Sequence, residues 1–244
     1  MERDRQQFFS KVSQFEKSTY GKSLSGNVRF SSYKPPDFTQ QDWEKLLGAD
    51  VNNLKHMRLM YGFTQALIKE SDHLSEEEKT ILLKTALTHD WAESVTGDIP
   101  RPMKTDGDDE VERKILRNIF AEFGIRESEE ILRVMFEKET RLAVIWNSIE
   151  IAGYLRTAFN FWQRAKSVDS ETGEKFAKTG RGLLCYHLHD LIEDIEIFPH
   201  IIYFFKIHSH TIDEIFESET TDENERADLI LNKTKWEAFK SIYL

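Results

Sequence analysis

The sequence predicts an all-α protein, on three observations. Apolar residues recur at helical spacing along most of the chain, and no segment shows a convincing strand alternation. Glycine and proline are sparse, 11 and 5 in 244 residues, which argues against an all-β chain with many tight turns. Helix start and stop signals punctuate the periodic runs.

Taken in order, Phe8, Phe9, Val12 and Phe15 mark a short amphipathic helix over 5–20. Residues 21–38, with Gly and Pro breaks and many Ser, read as a loop or extended arm that carries Arg29 and Phe30. A short helix is expected over 42–47. Over 51–69, Leu54, Met57, Met60, Tyr61, Phe63, Leu67 and Ile68 build a broad apolar face, with His56 near the start. Ser75 and Glu78 form a capping box for a helix reaching about residue 90. Residues 97–107 read as a loop. Helices follow over about 108–123, closed by Gly124, then 127–138 and 139–166. The polar, Gly-containing stretch 167–181 is expected to be a mobile loop. Two or three helices fill 182–217, and a last one runs over 222–242 from an Asp222/Glu225 capping box. The implied organisation is an N-terminal helix and arm (1–50), a core (51–165) and a C-terminal helical extension packing on it (166–244).

The net charge of −10 demotes a general binder of nucleic-acid polymers, because a backbone binder needs a basic surface. A single cysteine, Cys185, excludes an intramolecular disulfide and suits a reducing compartment. The polar N-terminal stretch lacks the apolar core of a signal peptide, and no apolar run approaches a membrane span. A cytoplasmic protein without a membrane partner is therefore expected.

The chemistry concentrates at residues 86–100, ALTHDWAESVTGDIP. His89 and Asp90 end an apolar helical run, Glu93 follows three residues later, and Asp98 sits in a turn after Gly97. So many carboxylates at an apolar helix end are costly unless a cation binds there. An imidazole nitrogen beside a carboxylate oxygen suits a borderline divalent ion such as Zn, Mn, Fe or Co. Two ligands do not complete a site, and His56, on the preceding helix, is the natural third.

The series His56, His89-Asp90, Glu93, Thr96-Gly97-Asp98-Ile99-Pro100 and Lys104 resembles the HD-domain metal-dependent phosphohydrolases. Within them it is most similar to the 5′-deoxynucleotidase branch. The resemblance covers about residues 51–105 and extends less closely to 165. It implies an HD-domain helical bundle with additional C-terminal helices. It also implies one divalent metal (Mn, Co, Zn, Fe or Mg), a nucleotide substrate and often a homodimer. The reaction implied is removal of phosphate from a (deoxy)nucleoside 5′-monophosphate. Related enzymes act on nucleoside triphosphates, cyclic nucleotides or guanosine tetraphosphate. The rival reading is a non-catalytic HD module that binds a nucleotide or a protein.

By the same resemblance, His56, His89 and Asp90 are metal ligands, and Glu93 and Asp98 share the acid–base work. Arg101 and Lys104 are candidate phosphate partners. Arg29, in the N-terminal arm, stands nearest to the family's substrate-binding arginine, although solvated surface charge is the plainer reading of it. Trp91 either stacks on a base or packs in the core. The family closes its metal site with an aspartate where this chain has Asn147. Three readings stay open: Asn147 as a weaker ligand, Glu150 one turn on as its replacement, or a damaged site.

Two other features carry less. His189-Asp190, near Cys185 and His187, repeats the dipeptide without the turn that follows Asp90, and reads as helix surface and packing. Tyr203-Phe204-Phe205 reads as core or subunit interface.

Overall fold

The computed structural model describes residues 2–69, 71–99, 104–193 and 199–244, and Arg101 lies outside them. Among the described residues the regular structure is helical, with one isolated antiparallel bridge between Val28 and Asn52. The all-α expectation holds. Among the described residues no helix is long and apolar enough to cross a membrane. The chain divides into two compact units, Met1–Trp146 and Asn147–Leu244. The division falls inside a helix, and residues 1–50 belong to the first unit.

In the first unit, α1 (Glu2–Lys17) buries Phe8, Val12 and Phe15. The next element departs from the sequence reading, since Thr19–Gly26 is a helix, α2, and not the start of a loop. Ser18 caps it by accepting from the Gly21 N–H, and Leu24 is fully buried. A side chain on Gly21 would collide with the Glu16 carbonyl oxygen, so this glycine serves the tight α1–α2 corner. α3 (Gln40–Leu47) starts from a Thr39/Asp42 capping box. A 3-10 turn, Gly48–Asp50, leads through the N-cap Asn52 into α4 (Asn53–Ile68).

α5 (Glu76–Thr88) starts at the expected Ser75/Glu78 capping box and packs along α4. A short α6 (Glu93–Thr96) follows and stops at Gly97. α7 (Asp106–Phe123) opens with a Thr105/Asp108 capping box and closes on Gly124 in the left-handed conformation, with the Ile125 N–H returning to Phe120 O at 2.8 Å. α8 (Ser128–Phe136) and the first turns of α9 (Arg141–Ala165) complete the unit. Its core joins Phe15, Leu24, Met57, Leu87, Trp91, Leu116, Phe120 and Leu132, among others.

The second unit holds the rest of α9 with α10 (Ser170–Glu193), α11 (His200–Phe216) and α12 (Glu223–Tyr243). Most of the loop expected over 167–181 is the first half of α10. Its glycines mark close packing, not chain breaks. A Cβ on Gly173 would lie 2.7 Å from Ala165 O, and one on Gly180 would lie 3.1 Å from Ala158 O. Asp222 caps α12, but Glu225 does not reach back to complete a box. Its carboxylate instead accepts from buried Arg181 and from Thr220. Phe204 and Phe205 are core residues, and Phe205 packs against Trp236 and Phe239. Tyr203, beside them in sequence, is exposed.

Candidate metal centre

His56, His89 and Asp90 are each buried, and each offers a ligand atom within 4.8 Å of the other two. His56 comes from the second turn of α4, while His89 and Asp90 come from the C-terminal end of α5. The two imidazoles meet edge to face, with centroids 5.4 Å apart. The Trp146 indole backs His89 from the start of α9 at 5.3 Å.

The hydrogen bonds fix the histidine tautomers. His56 Nδ1 lies 3.0 Å from Asp50 Oδ1, and His89 Nδ1 lies 3.1 Å from the Ala86 carbonyl oxygen. Both partners are acceptors, so each Nδ1 carries the proton and donates it. Each Nε2 is then left with a lone pair. His89 Nε2 lies 3.1 Å from Asp90 Oδ1, an arrangement of two acceptors that needs a proton or a cation between them.

The electrostatics agree. Burial lowers the His56 pKa, with help from the Arg29 charge, so the ring is held neutral and fit for ligation. Burial raises the Asp90 pKa, against the pull of His56 and Arg29. Two neutral nitrogens fixed by partners and one strongly desolvated carboxylate suit a borderline divalent cation, and the Nδ1 contacts are the usual supports of histidine ligands.

Glu93 opens α6 one helical turn beyond Asp90 and is buried. Its Oε2 accepts from the Asn53 side-chain amide, and Asn27 Nδ2 donates to its main-chain oxygen at 3.2 Å. Burial, with the charges of Asp90 and Asp98, pushes its pKa well above the usual glutamate range. Gly97 follows with φ 77° and ψ 171°, a region essentially reserved for glycine. This turn aims Asp98, whose Oδ2 accepts the Phe30 N–H at 2.6 Å. Phe30 is itself left-handed at φ 53°, the one non-glycine residue with positive φ among those described.

Arg29 is not surface charge. It is 4% exposed and salt-bridged to Asp50, and its guanidinium lies 4.3 Å over the Phe30 ring. Its N–H donates to Val51 O at 3.1 Å, and its carbonyl accepts from Trp43 Nε1 at 3.0 Å. Trp91 resolves to core. It is fully buried and stacked on Phe15 at 3.7 Å with the planes 2° apart, so it offers no face to a base. Lys104 is half-buried and paired with Glu112 at 2.7 Å. Its charge nevertheless works against the rise in the pKa of both Asp90 and Glu93.

Asn147 and Glu150 lie on α9 and begin the second unit, and Trp146, immediately before Asn147, is the residue against His89. His187, in the second unit, stacks on Tyr154 at 4.5 Å, in keeping with the packing role read for it. The sequence reading missed Asp50 and Asn53. The available signal was the polar run Asp50-Val51-Asn52-Asn53 just ahead of His56, which places Asn53 and His56 one turn apart on the same helix face.

No protein-family model, curated protein or solved structure matches this chain.

Proposed function

We propose that the chain is a metal-dependent phosphohydrolase of the HD-domain type that removes phosphate from a nucleotide, with a (deoxy)nucleoside 5′-monophosphate as the preferred substrate. One observation carries the metal reading. His56, His89 and Asp90 converge in a buried cluster in which both Nδ1 atoms are already engaged and an imidazole lone pair faces a carboxylate. The nucleotide substrate rests on the resemblance of the motif series.

In this reading His56, His89 and Asp90 hold the ion. When bound, a divalent cation supplies Lewis acidity toward a phosphoryl oxygen. Glu93, whose pKa burial and its acidic neighbours raise, donates a proton to the leaving 5′-oxygen. Asp98, half-exposed and aimed by the Gly97 turn, accepts the proton of the attacking water. Arg29 and Lys104 offset the phosphate charge, each held by a carboxylate partner, Asp50 and Glu112.

The test is metal analysis of the purified protein together with phosphate release from mono-, tri- and cyclic nucleotides in Mn, Co, Zn and Mg. Stoichiometric metal and release from a 5′-monophosphate are expected. No metal and no release would sink the reading. The amide at Asn147, where the family carries an aspartate, favours a second reading, a module that binds a nucleotide without cleaving it. Metal binding and nucleotide binding without phosphate release would select that one.

A further inference from the structure

Asp50 stands outside the motif series yet touches one of its members, His56, and the arm residue Arg29. It ends the 3-10 turn Gly48–Asp50 and is 6% exposed. Its two oxygens have separate partners. Oδ1 takes the His56 Nδ1–H at 3.0 Å, and Oδ2 takes the Arg29 guanidinium. The Arg29 main chain is held independently, through Val51 O and Trp43 Nε1, which keeps the residue beside Asp50.

We propose that Asp50 is a positioning residue for the metal centre, one carboxylate that holds the His56 ring in the Nδ1–H tautomer and tethers Arg29 beside it. This inference rests on the metal reading given above. A free imidazole turns about its side-chain bonds and exchanges tautomers. Held by a carboxylate at Nδ1, it presents Nε2 in one direction and as a stronger base. The same carboxylate offsets the Arg29 charge, which would otherwise oppose a cation at His56. Asp50 therefore acts on the metal through two residues while touching neither the metal nor the substrate.

A purely structural role predicts that removing either partner of the Arg29–Asp50 pair does the same damage. The positioning role predicts opposite signs. Cobalt(II) titration, followed by the ion's visible absorption, should show Asp50→Asn binding roughly 10- to 100-fold more weakly than wild type, with a changed spectrum. Arg29→Gln should bind cobalt(II) as tightly or more tightly, because a repelling charge is gone. Equal losses in the two variants, or an unchanged Asp50→Asn, would overturn the proposal.

A measurement on the unsubstituted protein guards against a variant that does not fold. Nitrogen-15 NMR of the metal-free protein should show His56 protonated at Nδ1 and bare at Nε2. The opposite tautomer would overturn the proposal by itself. Wild type that shows the Nδ1–H tautomer but binds no cobalt(II) would instead sink the metal reading on which the proposal rests, so the two failures are distinguishable.

Discussion

The Phe30 N–H donates to Asp98 Oδ2 at 2.6 Å, tying the N-terminal arm to the turn that follows α6. Both ends of this bond are conformationally unusual. Phe30 is left-handed at φ 53°, and Asp98 follows a glycine at φ 77° and ψ 171°. Residues in such regions persist where surrounding contacts hold them in place, and they cluster at functional sites.

The first prediction tests that turn. Among the described residues nothing lies within 4 Å of a Cβ built on Gly97, so the cost of a methyl group there is backbone strain. Gly97→Ala should lose about 1–3 kcal/mol by urea denaturation. Phosphate release should fall further than the stability loss explains, because Asp98 is displaced. An unchanged rate would remove Asp98 from the chemistry.

The second concerns the ion. A ligand that binds only the folded chain at a hundredfold its dissociation constant raises the unfolding free energy by about 2.7 kcal/mol. Cobalt(II) or manganese(II) should raise the thermal midpoint, and a chelator should reverse the shift. Asp90→Ala should show no such rise. A rise that persists in Asp90→Ala would place the ion elsewhere.

The third concerns Trp91. Its ring stacks on Phe15 and meets Phe120 and Phe123 edge on. Trp91→Ala should cost about 3–5 kcal/mol, the usual range for deleting a large core aromatic. Trp91→Phe should keep the KM for a nucleotide near the wild-type value. A large KM increase in a well-folded Trp91→Phe would restore the base-stacking role.

The fourth concerns pH. Burial, reinforced by Asp90 and Asp98, raises the folded-state pKa of Glu93 above its unfolded value. The folded chain therefore keeps the Glu93 proton to higher pH than the unfolded chain does. The resulting stabilisation is complete below the unfolded glutamate pKa of about 4.3 and is lost as pH rises through the folded value. Glu93→Gln does not titrate. With chelator present, the urea midpoint of Glu93→Gln should gain on wild type as pH climbs from about 5 to about 8. A constant gap would show that Glu93 titrates normally. As the proposed acid, Glu93→Gln should also lose roughly 10²- to 10⁴-fold in phosphate release.

Much of the fold was legible because its signals are local. Ser75 with Glu78, and Gly124 after a periodic run, mark helix ends through bonds made within a few residues. His56, His89 and Asp90 were legible by resemblance, and the fold brings them together. What escaped depends on distant partners. Gly173 and Gly180 read as chain breakers until helix α9 is seen lying against them. Arg29 reads as surface until the Val28–Asn52 bridge lays the arm beside Asp50. Trp91 follows Asp90 in sequence but points into the core, because a turn begins at the end of α5 and carries it toward Phe15.

The stitching of the arm has a kinetic consequence. Asn27 reaches 66 residues to Glu93, Phe30 reaches 68 to Asp98, and Asn53 reaches 40 to Glu93. Helices α4 and α5 gain their hydrogen bonds locally and can form early, whereas these long loops close only after their entropy has been offset by packing. The placing of Glu93 and Asp98 thus belongs with the last contacts of the first unit to form, after the pairing of α4 with α5. In a refolding experiment, the proposed phosphate release should therefore return after the helices appear, while capture of cobalt(II) should follow the pairing of α4 with α5.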